Sequence, residues 1–157
     1  KGFGNIDAAG GIPQDISSLA TYCFAGLGIL VANIPNNNII KTIPSNAFNG
    51  CTSLKYVTLP DSLESIDSSS FNNCTALKEF NEIDGTPTGI DLKEGLKSIG
   101  VYAFNKCSFT LVNIPSTVIT IGDHAFGSMS SLSKVTFAAR NLELDDNGKI
   151  KNLLHNY

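Results

Sequence analysis

The sequence of 157 residues has no tryptophan, one methionine and few charged side chains, which make up 16% of the chain. It has no cluster of lysine and arginine, and its net charge is -3, so the electrostatic signature of a nucleic-acid binder is missing. Its longest apolar run, residues 24–34, is shorter than the roughly 20 residues that a membrane helix needs. We therefore expect no nucleic-acid partner and no membrane insertion.

Motifs for catalysis and for targeting are also missing. The sequence offers no serine, histidine and acid set, no nucleophile elbow and no phosphate-binding loop. Neither end carries a signal peptide or a lipidation motif. The hydrophobic fraction of 42% is nevertheless enough for a packed core. We expect a folded protein that is not an enzyme and that needs no cofactor.

The dominant feature of the sequence is an internal repeat of 23 residues. The core positions Ile43, Phe48, Cys51, Leu54 and Val57 recur as Ile66, Phe71, Cys74, Leu77 and Phe80. Later copies carry Ile99, Phe104, Cys107, Val112 and Ile114, then Ile121, Phe126, Met129, Val135 and Phe137. The repeat predicts a solenoid of five coils, because each unit is too small to bury its own apolar face. The coils span residues 12–34, 35–59, 60–91, 92–114 and 115–137, after a lead-in of residues 1–11.

Within each coil, the residue types predict strands and an aromatic column. Apolar residues alternate at period two in pairs such as Val57 and Leu59, which indicates a half-buried strand. A second short strand is expected in each coil, around Leu19, Ile43, Ile66, Ile99 and Ile121. One phenylalanine per coil, preceded by a small residue, predicts a stacked internal column. The members of that column are Phe24, Phe48, Phe71, Phe104 and Phe126.

The order of Ile, Ala-Phe, Cys, Leu and an apolar strand ending in Leu-Pro or Ile-Pro resembles the BspA-like leucine-rich repeat family over residues 12–137. Ser70 and Cys23 stand where the family prefers alanine, and Leu27 and Met129 where it prefers cysteine. The resemblance implies an α/β-type repeat solenoid, a right-handed superhelix dominated by short parallel β-strands and turns, with little helix.

The same resemblance implies a non-catalytic protein-binding module, at the cell surface or secreted, with an extracellular protein of a host or a neighbouring cell as its partner. Two alternatives stay open. The chain could be a structural spacer that presents another domain, or a solenoid that binds a glycan. A glycan is disfavoured because the sequence shows no clear aromatic platform: Tyr56 and Tyr102 lie at different registers.

Three of the four cysteines, Cys51, Cys74 and Cys107, share one register, so a disulfide ladder or a metal cluster has to be considered. Their spacings match no zinc motif. Side chains at one register of stacked coils run parallel, whereas a disulfide needs converging side chains. We therefore predict buried free thiols that pack as small apolar residues, and no metal.

The first candidate binding surface is the outward side of the longer strands. Its residues are Asn33, Thr58, Asn81, Asn113 and Thr136, with Tyr56 beside them. The short strands carry a second polar register of Ser18, Thr42, Ser65, Ser98 and Thr120. One interpretation is a surface that binds an extended partner. The alternative, which we favour, is a structural ladder whose hydroxyls hydrogen-bond from coil to coil.

The second candidate is an insertion in the third coil, residues 81–90, which lengthens the repeat by 10 residues. It contains the polar residues Glu82, Asp84, Thr86 and Thr88. It could be a protruding loop that contacts a partner, or a tolerated insertion, since longer loops cost little extra entropy.

Residues 138–157 are expected to cap the solenoid. Asn147-Gly148 is a strong hairpin signal, so we predict a β-hairpin. Residues 143–150 also fit part of a calcium loop. The twelfth position of that loop would be Leu154 instead of the bidentate glutamate that calcium requires, so we discount it.

Overall fold

The computed structural model describes residues 12–78 and 90–138. These residues form nine short strands and no helix. In chain order the strands are β1 (Val31–Asn33), β2 (Thr42–Ile43), β3 (Tyr56–Thr58), β4 (Ser65–Ile66), β5 (Ile90–Asp91), β6 (Ser98–Ile99), β7 (Leu111–Ile114), β8 (Thr120–Ile121) and β9 (Lys134–Phe137).

The nine strands pair in parallel and form three sheets. Sheet A contains β1 and β3, sheet B contains β2, β4, β6 and β8 in that order, and sheet C contains β5, β7 and β9. From β1 to β9 the chain visits sheet B at every second strand and sheet A or sheet C in between. Each neighbour in a sheet therefore lies one repeat away in sequence, which confirms the predicted solenoid of short parallel strands.

The predicted phenylalanine column is present and forms the centre of the core. Consecutive rings of Phe24, Phe48, Phe71, Phe104 and Phe126 stack with centroids 5.0, 5.1, 5.5 and 5.4 Å apart and nearly parallel planes. All five rings are buried. Because each ring marks one repeat along the solenoid axis, we use "level" for the coil that contains it and name the level by its phenylalanine.

The small residue before each phenylalanine allows the backbones of adjacent levels to meet. The N–H of Phe48 donates to the carbonyl of Ser70, and the N–H of Phe71 donates to that of Ala103, both at 2.8 Å. Ser70 is fully buried, and its hydroxyl lies 2.6 Å from the carbonyl oxygen of Asp67. The hydroxyl that replaces the alanine of the repeat thus has a partner, as a buried polar group requires.

Every level contains two residues whose backbone has the left-handed conformation. The residues two before the phenylalanines, Tyr22, Asn46, Ser69, Tyr102 and His124, have φ values between 54° and 59°. The residues two after them, Gly26, Gly50, Asn73, Lys106 and Ser128, have φ values between 51° and 75°. Only two of these ten residues are glycine, so stacking between levels holds the others in a conformation that costs non-glycine residues energy.

A ladder of asparagines, at the residue after the phenylalanine, connects the three middle levels. The Asn72 amide donates to Asn49 at 3.1 Å, and the Asn105 amide donates to Asn72 at 2.9 Å. This ladder was not foreseen from the sequence, although three asparagines at one register were a usable signal.

Some expectations differ from the structure or lie outside the described residues. Leu19 is not part of a strand, so sheet B begins at β2. Leu27, at the cysteine register of the first level, is 43% exposed, because no described level covers it from the N-terminal side. The expected lead-in, residues 1–11, almost all of the insertion and the expected hairpin cap beyond Ala138 fall outside the described residues.

Candidate functional site

The outward side chains of sheet A form a hydrogen bond with each other. Asn33 and Thr58 are register partners on β1 and β3, and both are exposed. The Thr58 hydroxyl donates to the Asn33 side-chain oxygen at 3.1 Å. Tyr56 is half-buried beside Val31. This part of the predicted surface therefore follows the ladder interpretation.

The equivalent side chains of sheet C form no hydrogen bond with each other. Asn113 and Thr136 are register partners on β7 and β9. Among the described residues, neither side chain has a hydrogen-bond partner. The sheet thus presents one amide and one hydroxyl that are free to bind something else.

A cleft of about 410 Å³ lies directly beside these two residues. Asn113 and Thr136 form part of its wall, Leu92, Ile114, Pro115 and Phe137 supply apolar surface, and Lys93 and Glu94 bring charge. An apolar cleft with a few convergent polar groups is the usual form of a binding site.

Glu94 is held in place at this cleft. Its carboxylate accepts hydrogen bonds from the backbone N–H and the hydroxyl of Ser116, both at 3.0 Å. These bonds, first of all the one from the backbone, lower the pKa of Glu94. Glu94 therefore contributes a fixed negative charge to the wall of the cleft, beside Lys93.

The third coil contributes a different residue from the expected one. The register of β5 and β7 places Ile90 beside Val112 and Asp91 beside Asn113. The position next to Asn113 in sheet C is thus occupied by Asp91. Asn81, Glu82, Asp84, Thr86 and Thr88 lie outside the described residues, and their role as a binding loop stays a prediction.

The hydroxyl register of sheet B divides in the same way. Thr42, Ser65, Ser98 and Thr120 are register partners from β2 to β8. The Ser65 hydroxyl donates to that of Thr42 at 2.9 Å, whereas no described residue hydrogen-bonds to the hydroxyls of Ser98 and Thr120. The ladder interpretation therefore holds for the first pair only.

The cysteines are free thiols, as predicted. Cys51, Cys74 and Cys107 are buried and Cys23 is half-buried. Across the described parts of the chain, no group of three or more His, Cys, Asp or Glu side chains is placed to hold a metal ion. In the same residues, no helix has the length and apolar character to span a membrane.

The family comparison identifies the repeat. A model described as "BspA type Leucine rich repeat region" matches residues 11–86 and 84–148, in six copies. A search of curated proteins gave no match.

Two solved structures of bacterial leucine-rich repeat proteins are similar to this chain. One, from Bacteroides ovatus, is 35% identical with a TM-score of 0.68, and the match covers 78% of this chain and 29% of the other. The second, from T. pallidum, is 28% identical with a TM-score of 0.69, and the match covers 79% of this chain and 56% of the other. This chain thus spans between about a quarter and a little over half of the length of these relatives.

Proposed function

The chain belongs to the BspA-type leucine-rich repeat family, and from that premise we propose that it binds another protein through the outward side of sheet C, at the cell surface or outside the cell. The family and the two similar structures support a repeat module for protein interaction. Such modules are typically not catalytic. The partner class, an extracellular protein, follows from the roles that the family resemblance implies.

The observation that carries the proposal is the pair of accessible side chains at the sheet C cleft that have no hydrogen-bond partner among the described residues. Asn113 and Thr136 lie on neighbouring strands and can each accept or donate a hydrogen bond to a partner. The apolar wall beside them, including Ile114 and Phe137, supplies the surface whose burial favours association. The fixed carboxylate of Glu94 adds an acceptor for a hydrogen-bond donor of the partner.

The state of the thiols is compatible with an extracellular location. Secreted proteins usually pair their cysteines, so four free thiols need an explanation. Burial supplies it for Cys51, Cys74 and Cys107, because desolvation raises the pKa of these thiols and so lowers the fraction of reactive thiolate.

Surface plasmon resonance of the whole chain against immobilised extracellular matrix proteins tests the proposal. The test variant is Asn113→Lys with Thr136→Lys, which places two long, positively charged side chains in the cleft. We expect saturable binding by the natural chain and a loss of at least about tenfold in affinity for the variant, about 1.4 kcal/mol.

The control variant is Thr52→Lys with Thr75→Lys. These two exposed residues follow Cys51 and Cys74 on neighbouring levels, so the variant adds the same charge away from the cleft. Equal losses in both variants would show that added charge alone weakens binding. No saturable binding to any matrix protein would leave the spacer alternative as the better account.

A further inference from the structure

A second groove lies along sheet B, on strands that the proposed protein-binding surface does not use. It has a volume of about 310 Å³ and extends from Ser45 in the level of Phe48 across the levels of Phe71, Phe104 and Phe126. Four hydroxyl side chains and one carboxylate line it: Ser45, Ser68, Ser98, Thr120 and Asp67.

The polar side chains of this groove are accessible to solvent and to a ligand. None of the five side chains has a hydrogen-bond or ion-pair partner in the part of the chain that the structure describes. The contrast within one register is informative. Thr42 and Ser65 bond to each other outside the groove, whereas Ser98 and Thr120 line the groove and do not. The hydroxyls available for a ligand thus coincide with the groove.

The charge of the groove disfavours an anionic ligand. No lysine or arginine lines it, so it has no group to balance the charge of a phosphate, a sulfate or an acidic sugar. Lys97, which precedes Ser98, lies 2.5 Å from the Glu64 carboxylate and is thereby engaged. A carboxylate accepts hydrogen bonds at two oxygens, and each serine or threonine both donates and accepts. This combination matches the adjacent hydroxyls of a neutral sugar.

An exposed aromatic pair is close in sequence to the lining of the groove. Tyr102 and His124 stack with centroids 5.2 Å apart and planes within 7°, and Tyr102 is 42% exposed. They follow Gly100 and Gly122, which line the groove, by two residues each. Aromatic rings at a surface provide apolar area next to polar groups, which suits the mixed faces of a sugar ring. The aromatic surface that was not evident from the sequence is therefore formed by two residues of different type at one register.

We propose that this groove is a binding site for a neutral oligosaccharide that lies along the solenoid axis. The ligand hydroxyls bond to Asp67, Ser98 and Thr120, and an apolar face of one sugar packs against the stacked pair of Tyr102 and His124. Because the groove is open to solvent and small for a ligand site, we expect dissociation constants in the millimolar range.

The test is a titration of the whole chain, followed by ¹⁵N–¹H correlation spectra, with maltotriose, cellotriose and the trimer of N-acetylglucosamine. We expect saturable shifts of the Gly100, Val101 and Gly122 amides with at least one of the three. The variant Ser98→Ala with Thr120→Ala should weaken binding about tenfold or more, since each change removes a hydrogen bond to the ligand. Asp67→Asn is a second variant, with the same expected direction.

The matched control is Thr42→Ala with Ser65→Ala, which removes two hydroxyls of the same register outside the groove. Its affinity should equal that of the natural chain, and so should that of the cleft variant Asn113→Lys with Thr136→Lys. Sialyllactose should bind more weakly than lactose, because its carboxylate meets Asp67.

Three results would overturn the proposal. They are no saturable shift with any of the three sugars, equal losses in the two alanine pairs, and sialyllactose binding at least as tight as that of lactose. A free oligosaccharide and the glycan of a glycoprotein are distinguished by repeating the titration with a glycoprotein before and after enzymatic deglycosylation. None of these outcomes depends on protein binding at sheet C.

Discussion

Three cysteines join neighbouring levels through their thiols. The thiol groups of Cys51, Cys74 and Cys107 donate to the carbonyls of Phe24, Phe48 and Phe71 at 3.0, 3.0 and 3.2 Å. The cysteine register therefore provides both a small apolar group and a weak donor for a buried carbonyl. Leucine and methionine fill the space at the ends of the stack, but they cannot supply this bond.

The thiols should react in an order set by burial. Desolvation raises the pKa of Cys51 from 9.0 to about 11, and it raises those of Cys74 and Cys107 as well. Because the thiolate is the reactive form, a rise of two pKa units lowers its fraction near neutral pH about 100-fold. Titration with a disulfide reagent in native buffer should show Cys23, the half-buried thiol, reacting first and the other three much more slowly.

Denaturant should release all four thiols at one rate, and Cys23→Ser should remove only the fast native phase. Two or more thiols that react rapidly in native buffer would contradict the buried arrangement. As the pH rises, the slow native reaction should accelerate, because each thiol approaches its raised pKa from below.

Gly122 is required for the close approach of two levels. A Cβ atom there would lie 2.4 Å from the backbone nitrogen of Val101 and 2.7 Å from the carbonyl carbon of Gly100. Since both atoms belong to backbone that is fixed by stacking, Gly122→Ala should lower the free energy of unfolding by about 1–3 kcal/mol. Urea unfolding followed by circular dichroism would measure the change.

The control for this substitution is Gly28→Ala, where the added Cβ would have no heavy atom within 4 Å. Its φ is not in the left-handed region, so we expect little change or a slight gain in stability. Comparable losses at both positions would mean that the steric argument at Gly122 is wrong.

At the scale of elements, β5 shows how the insertion is accommodated. The chain is still in register with the preceding level at Lys78, whose N–H lies 3.4 Å from the carbonyl of Lys55. By β5 it is in register with the following level, since Ile90 lies beside Val112. The added length therefore falls between Lys78 and Ile90, before the strand and not after it.

Deleting residues 80–89 should consequently restore an uninterrupted solenoid. The deletion joins Glu79 to Ile90, so that Ile90 takes the position of Val57 and Asp91 that of Thr58 in a 23-residue repeat. We expect a folded protein with a thermal midpoint equal to or above that of the natural chain, because a loop closure is removed. If partner binding is retained, the insertion is not the binding site.

The matched control deletes residues 79–89, one residue more. Ile90 then takes the position of Tyr56 and Asp91 takes the buried position of Val57, so the shift places a carboxylate in the core. This variant should be clearly less stable than the ten-residue deletion. Equal stability of the two would show that the register of β5 does not matter.

The core repeat and β5 also show what the sequence could and could not predict. The buried positions repeat because every level must fill the same core, so Ile43, Phe48 and Cys51 could be read directly. The sequence shows the length of the insertion but not where in the coil it begins. Counting one repeat forward from Thr58 places Asn81 at the outward strand position. Counting back from Ile99 by the separation between Thr58 and Ile66 places Asp91 there instead. Whether two ladder hydroxyls bond depends on the spacing and side-chain orientation of adjacent levels, which no residue pattern records.

At the scale of the whole molecule, the two strand faces change character along the axis. The polar pairs are bonded in the N-terminal part, at Asn33 with Thr58 and at Thr42 with Ser65. In the C-terminal part Asn113, Thr136, Ser98 and Thr120 are unpaired among the described residues. The sheet C cleft lies there, and the sheet B groove reaches there from Ser45. The same repeat thus has internally bonded polar pairs at one end and polar pairs without a described partner at the other.

Burial also varies along the axis. Phe48, Phe71 and Phe104, with Cys51 and Cys74, have no exposed surface. Leu27 in the first level is 43% exposed, and Leu132, Val135 and Phe137 in the last level are only partly buried. In a solenoid each level contacts only its neighbours, so local stability should follow the same profile.

Amide hydrogen exchange should therefore be slowest in the middle of the stack. The N–H groups of Phe24, Phe48 and Phe71 make nearly equal bonds to the next level, 2.9, 2.8 and 2.8 Å. Bond length alone predicts equal protection, whereas one-dimensional stacking predicts that Phe48 and Phe71 exchange at least about tenfold more slowly than Phe24, because an end level opens without its neighbours. Native-state exchange measured by NMR separates the two. Equal rates at all three amides would mean that the solenoid opens only as one cooperative unit, in which case the end levels are as stable as the middle and Gly122→Ala should destabilise all levels alike.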